Sequence, residues 1–161
     1  MAHHLTYLSL GTNLGNKEEN LRAAMTLIEE QIGSITSQSA LYVSAPWGFS
    51  SANTFLNNVV AVDTPLTPEE LLSATQRIEH TLGRTHKSVN GVYADRLIDI
   101  DILLYDEIVV NTPALTLPHP LMHRRLFVLE PLSEIAPTLP HPLLQKDIRT
   151  LRDELKAEGT C

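Results

Sequence analysis

Asp99 and Asp101 stand in the segment Leu97-Ile98-Asp99-Ile100-Asp101-Ile102-Leu103-Leu104. Successive side chains of a β-strand point to opposite faces, so this pattern places Ile98, Ile100, Ile102 and Leu104 on one face and both carboxylates on the other. Aspartate is disfavoured in strands and like charges at this spacing repel, so the pair calls for a compensating cation or basic side chains. Magnesium binds through one or two protein carboxylates and completes its shell with water and substrate phosphate oxygens, a role this spacing suits. A solvated strand face accounts for the same pattern without a metal.

Arg84, Lys87, Arg96, Arg124 and Arg125 fall in or beside the loops flanking this strand, in a chain of formal net charge -7. The planar fork of arginine suits phosphate recognition, and cations together with magnesium are what a phosphoryl-transfer site needs to spread developing charge. Ordinary surface ion pairing is the competing account. His119 and His123 are four residues apart, but no Glu-containing zinc motif surrounds them, and Pro118 and Pro120 put His119 in a turn. His119 is a candidate donor to a phosphate, and His123 reads as exposed. Gly11-Thr12-Asn13-Leu14-Gly15 lacks the Gly-Lys-Ser/Thr ending of a Walker A loop and reads as a structural turn. Phe55 and Phe127 suit core packing or stacking on a flat heterocycle, and Asn57, on the strand face of Phe55, could bond such a ring's edge.

These residues need elements to hold them. A short apolar stretch, residues 5–10, reads as a strand ending in the Gly11 turn. A helix follows, with Asn16 and Glu19 as cap and reciprocal partner, Leu21, Ala24, Met25, Ile28 and Ile32 at helical spacing, and Gly33 as its stop. Residues 35–43 and 55–62 are rich in β-branched and aromatic residues and read as two strands. Thr67-Pro68-Glu69-Glu70 opens a second helix that stops at Gly83, with Leu71, Leu72, Thr75, Ile78 and Leu82 on its apolar face and Gln76 and Glu79 at the boundary. The polar segment 84–95 is a candidate mobile loop, and a fourth strand spans 96–105. The order β, α, β, β, α, β is that of an α+β ferredoxin-like split βαβ sandwich, with both helices on one face of an antiparallel sheet. Extra C-terminal helices are expected at 124–135 and 146–157.

The 161 residues suit one domain, 1–161, and their 43% hydrophobic content is ordinary for a globular protein. The acidic balance argues against a nucleic-acid partner, since such proteins usually present a basic face. The lone cysteine, Cys161, permits no intrachain disulfide. No window reaches the roughly 20 apolar residues of a membrane span, and no leader pattern opens the chain, so a cytoplasmic protein without a membrane partner is expected.

Taken in order, the Gly11–Gly15 turn, Phe55-Leu56-Asn57, Gln76-Arg77-Ile78-Glu79, Gly83-Arg84, Arg96 through Leu103, Leu117-Pro118-His119-Pro120, Arg125-Leu126-Phe127 and Glu130-Pro131-Leu132 make a series. That series resembles the 6-hydroxymethyl-7,8-dihydropterin pyrophosphokinases, folate-pathway enzymes that transfer diphosphate from ATP to a pterin alcohol. The resemblance covers nearly the whole chain. It implies that Asp99 and Asp101 bind two magnesium ions on the ATP phosphates and that Arg84 and Arg96 assist transfer. Gln76, Glu79, Lys87, Arg96, Ile102, Thr116, His119 and Arg125 would contact ATP. Phe55 and Phe127 would sandwich the pterin, Asn57 would read its edge, and Ser44, Pro46 and Trp47 would line its pocket. A monomer working on small-molecule substrates, ATP and the dihydropterin, is the expectation, with loops 46–53 and 84–95 closing over them. Asp95 stands where a proline is familiar in this family, and Ala114 where some members carry an arginine, which implies one fewer phosphate contact.

Overall fold

The computed structural model describes residues 3–44, 54–83 and 98–158. Strand β1 (His4–Thr12) leads into helix α1 (Lys17–Gln31), followed by β2 (Ser34–Gln38), β3 (Tyr42–Ser44) and β4 (Phe55–Thr64). Helix α2 (Pro68–Gly83) then precedes β5 (Asp99–Tyr105), a small hairpin of β6 (Val110–Asn111) and β7 (Thr116–Leu117), and helices α3 (Leu126–Ile135) and α4 (Ile148–Ala157). The main sheet has the order β2-β4-β1-β5, with β3 also paired to β4 and every pairing antiparallel. This is the expected split βαβ arrangement, extended at its C-terminal end.

The capping patterns act where the sequence placed them. Asn16 Oδ1 accepts from the Glu19 N–H at 3.2 Å and starts α1. At α2 the box is reciprocal: Glu70 N–H donates to Thr67 Oγ1 at 3.2 Å and Thr67 N–H to Glu70 Oε1 at 2.9 Å. Such caps contribute about 1 kcal/mol each. Gly33 ends α1 for a steric reason, because a Cβ there would lie 2.0 Å from the backbone oxygen of Asp63.

The sheet separates two apolar layers. Leu8, Leu10, Val60, Val62, Ile100 and Ile102 pack against Leu21, Ala24 and Ile28 of α1 and Leu71, Ala74 and Ile78 of α2. On the opposite face Tyr7, Val59, Ala61 and Leu103 pack against Val128, Leu129 and Leu132 of α3 and Ile148, Leu151 and Leu155 of α4. Burying each large aliphatic side chain contributes about 1.5–3 kcal/mol, so both layers are substantial.

Three boundaries differ from the sequence reading. The single strand expected over 35–43 is two strands. Gln38 faces Val60 while Tyr42 faces Asn57, so the edge advances four residues where β4 advances three. Leu104 belongs to the α3/α4 layer rather than to the face of Ile98, Ile100 and Ile102. There the register of β1 against β5 shifts between Tyr7 and Leu8, which absorbs Leu103 as an extra residue and reverses the alternation. The helix expected from residue 124 is a 3-10 turn, Met122–Arg124, followed by α3, whose interior Pro131 cannot donate to the carbonyl of Phe127.

Because the carbonyl that Gly33 approaches belongs to a paired strand, Gly33→Ala is expected to cost roughly 1–3 kcal/mol or more through overpacking. Urea denaturation of the two proteins checks this.

Candidate active site

The face of the sheet opposite α1 and α2 is closed by α3 and α4 over only part of its length, and the remainder holds the polar residues. Across it runs one row set by register: Tyr42 pairs with Asn57, Asn57 with Gly11, and Gly11 with Asp99. The next row carries Val59, Ser9 and Asp101. Neighbouring strands lie about 4.8 Å apart, so Asn57 and Asp99 sit roughly 10 Å apart with only a glycine between them. Gly11 makes this a trough, since a Cβ there would lie 3.0 Å from Asn57 Oδ1 and 3.5 Å from Phe55 Cδ1.

At the trough's inner end Asn57 is buried, and its Nδ2 donates to Ser44 Oγ at 2.8 Å and to the carbonyl of Tyr42 at 3.2 Å. A carbonyl can only accept, which fixes which end of the amide faces β3 and leaves Oδ1 beside Gly11. Phe55, opening β4, is half-buried, as is Phe127 in the first turn of α3.

At the outer end both aspartates are half-buried on the same face, as the alternation required. Arg125 Nη1 lies 3.7 Å from Asp101 Oδ2, and its guanidinium carbon sits 5.5 Å from the centre of the Phe127 ring. One side chain thus links the Asp101 carboxylate and the Phe127 ring. His119 Nε2 lies 4.0 Å from Asp101 Oδ1. The Nδ1 of the same ring accepts from the Leu121 N–H at 3.2 Å, which makes Nε2 the protonated nitrogen of the neutral ring. Burial, with the charge of Arg125 adding and Asp99 opposing, pushes the His119 pKa down to about 4, so the ring is neutral near pH 7.

Glu79 closes the site from α2. Its Oε2 accepts from the Ile100 N–H at 2.8 Å, between the two aspartates. Burial, reinforced by the charges of Asp99 and Asp101 and by a hydrogen bond to Asp99, pushes its pKa up to about 8 against the pull of the Ile100 N–H. Two strand carboxylates are a donor set that would suit magnesium completed by phosphate and water rather than an all-protein cage. Among the described residues no cluster of three or more His, Cys, Asp or Glu could enclose a metal.

A cleft of about 240 Å³ adjoins Asp101 and is lined by Ile102, Thr116, His119, Leu72 and Thr75, with Ala114 on its rim. Ile102, Thr116 and His119, three residues expected to contact ATP, thus line one cleft. Gln76 is exposed on α2, one turn before Glu79, and neither lines this cleft. Arg124 does not join the site: it pairs with Glu158 at 3.0 Å, beyond the end of α4. His123 is half-buried rather than exposed, edge-on to His141 with ring centres 6.3 Å apart. Pro46, Trp47, Arg84, His86, Lys87, Tyr93, Asp95 and Arg96 lie outside the described residues, as do both loops expected to close, 46–53 and 84–95.

The carboxylates, the aromatic wall and the cleft occur together along 131 residues, 7–137, that match the model of the family described as 7,8-dihydro-6-hydroxymethylpterin-pyrophosphokinase, HPPK. The chain belongs to this family. A 2-amino-4-hydroxy-6-hydroxymethyldihydropteridine pyrophosphokinase of Porphyromonas gingivalis is 50% identical over 134 residues, covering 83% of this chain and 91% of the relative. Its namesake in Bacillus subtilis is 41% identical over 83% of this chain and 78% of its own, and that of Aquifex aeolicus 37% over 96% and 94%. A crystal structure of wild-type Plasmodium falciparum HPPK-DHPS with SDX-DHP superposes with a TM-score of 0.80, covering 98% of this chain and 45% of that one. At 18% identity that likeness speaks for the fold alone.

Gly11, read from the sequence as the start of a turn, is a candidate site residue by its place between Asn57 and Asp99. Its signal is a small residue facing Asn57 and Asp99 at once, visible only when strand pairing is known. The tautomer of His119 is open to direct test. Long-range ¹⁵N–¹H correlation spectra at pH 7 are expected to show Nε2 protonated and Nδ1 in its acceptor form.

Proposed function

We propose that this chain transfers diphosphate from ATP to the hydroxymethyl group of 6-hydroxymethyl-7,8-dihydropterin, releasing AMP, as a step of folate biosynthesis. The observation that carries this reading is the row Asn57–Gly11–Asp99. It sets a ring-sized polar slot beside paired carboxylates on one open sheet face, roughly two strand spacings apart.

In this reading Phe55 and Phe127 hold the pterin ring between them and Asn57 Oδ1 accepts from its edge, with Ser44, Pro46 and Trp47 completing the pocket. The nucleotide occupies the cleft beside Asp101, near Ile102, Thr116 and His119, with Gln76, Glu79, Lys87, Arg96 and Arg125 as further contacts. His119 offers Nε2–H as a neutral donor, and Arg125 brings positive charge toward the phosphates while bracing Phe127. Asp99 and Asp101 would hold magnesium, two ions by the family resemblance, which when bound would neutralise phosphate charge. Arg84 and Arg96 would bring further positive charge to the transferring group.

The hydroxymethyl oxygen attacks the β-phosphorus in line, the bond from that phosphorus to the oxygen joining it to the α-phosphorus breaks, AMP leaves with the bond's electrons, and the hydroxyl proton passes to water. The protein's part is orientation and charge complementarity, since a loose phosphoryl transition state asks little covalent chemistry of side chains. We further propose that residues 1–161 act as one domain, as a monomer in the cytoplasm. Ala114 gives no cationic contact from the β6–β7 hairpin.

Incubation with ATP, magnesium and the dihydropterin alcohol is expected to yield AMP, and ADP formation or no turnover would overturn the proposal. Asp99→Ala and Asp101→Ala are each expected to lower kcat by about 10³-fold. Each variant should still fold, which circular dichroism checks. Gly11→Ala fills the slot, so the dihydropterin KM is expected to rise about tenfold with the ATP KM within about twofold of wild type. Steady-state kinetics with each substrate varied separately distinguishes the two.

A further inference from the structure

The extra residue between β2 and β3 decides which side chains meet Asn57. With Gln38 across from Val60, an unbroken edge strand would put Leu41 opposite Asn57 and Val43 opposite Phe55. A one-residue slip turns every side chain to the other face, so Tyr42 and Ser44 would then leave the site. In the structure Leu41 and Val43 are exposed, and Tyr42 and Ser44 hold the two acceptors that orient the Asn57 amide. Two groups hold the irregularity. Ser39 works from within, its N–H donating to the Val59 carbonyl at 2.9 Å and its Oγ accepting from the Val59 N–H at 3.0 Å. Glu134 works from outside: its carboxylate accepts from the Ala40 N–H at 3.0 Å and from the Tyr42 hydroxyl at 2.6 Å.

Glu134 belongs to α3, seven residues after Phe127. Two helical turns bring it back to the same side of the helix, about 10 Å along the axis. The helix that presents one aromatic wall thus also grips the strand that aims Asn57. We infer that Glu134 is a positioning residue for the substrate ring: it locks the β2–β3 bulge to α3 and so holds Asn57 and Phe127 in one geometry. The inference rests on the proposed function for its ligand, and on these hydrogen bonds alone for its mechanics. The Tyr42 phenol, pushed up to about 12 chiefly by its bond to Glu134, agrees with a persistent contact.

Glu134→Ala, Glu134→Gln and Tyr42→Phe test it. Glu134→Ala is expected to raise the dihydropterin KM three- to tenfold, in order of magnitude, with kcat and the ATP KM within about twofold of wild type. Glu134→Gln, which keeps a carbonyl acceptor, should restore most of the loss, and Tyr42→Phe should fall between. In ¹⁵N spectra the Asn57 side-chain amide should shift and exchange faster in Glu134→Ala than in the other two. A dihydropterin KM unchanged in folded Glu134→Ala, an ATP KM rising in step with it, or a lowered Tm with an unmoved Asn57 amide would overturn the inference. The amide signal needs no turnover. A wild type that forms no AMP would therefore sink the proposed reaction while the Asn57 spectra still decide the role of Glu134.

Discussion

Everything at the candidate site depends on β1 lying between β4 and β5 in one register. That pairing aligns Asn57, Gly11 and Asp99 across three strands, though they stand far apart in the chain. The same register sends Leu8, Leu10, Ile100 and Ile102 into the layer under α1 and α2. Sliding β5 by one residue would drive two carboxylates into an apolar layer and turn isoleucines outward, a change that burial energies make prohibitive. The hydrophobic layer on one face thus specifies the chemical geometry on the other, and the site inherits its precision from the core.

The second face is divided between stability and function. Where α3 and α4 cover it, Tyr7, Val59, Ala61 and Leu103 are sealed against leucines and isoleucines. Beyond the cover, the same strands carry Asp99, Asp101 and Asn57. Arg125 and Phe127 mark the border, one leaning on Asp101 and the other opening α3. Burial, with the charges of Asp99 and Asp101 adding, holds the Glu79 carboxyl well above the usual carboxylate range.

Much of the fold could be read from local pattern because the rules concerned are local. Helix starts at Asn16 and Thr67 and the in–out alternation of Asp99 and Asp101 are properties of adjacent residues. The expected order of elements matched for the same reason. What escaped depends on chain segments that meet only after folding. The break at 39–41 arises from Ser39 and Glu134 acting on one strand edge, and the bulge at Leu103 from pairing with β1. Arg124 looked like its neighbour Arg125, yet one faces Glu158 and the other Asp101, a split set by the short turn before α3. The family resemblance supplied functional roles that spacing alone left open, above all for Phe55, Phe127 and His119. It assigned nothing to Gly11, whose contribution is the absence of a side chain.

The covering of β5 has an effect beyond chemistry. This strand lies at the end of the main sheet, where unpaired N–H and C=O groups invite a strand from another molecule to add on. Two residues of the site occupy those groups: Glu79 takes the Ile100 N–H, and the backbone N–H of His119 donates to the Leu103 carbonyl at 2.9 Å. The polypeptide that frames the cleft beside Asp101 is therefore also a guard against edge-to-edge aggregation. Damage to this corner would threaten solubility in the cell as much as turnover.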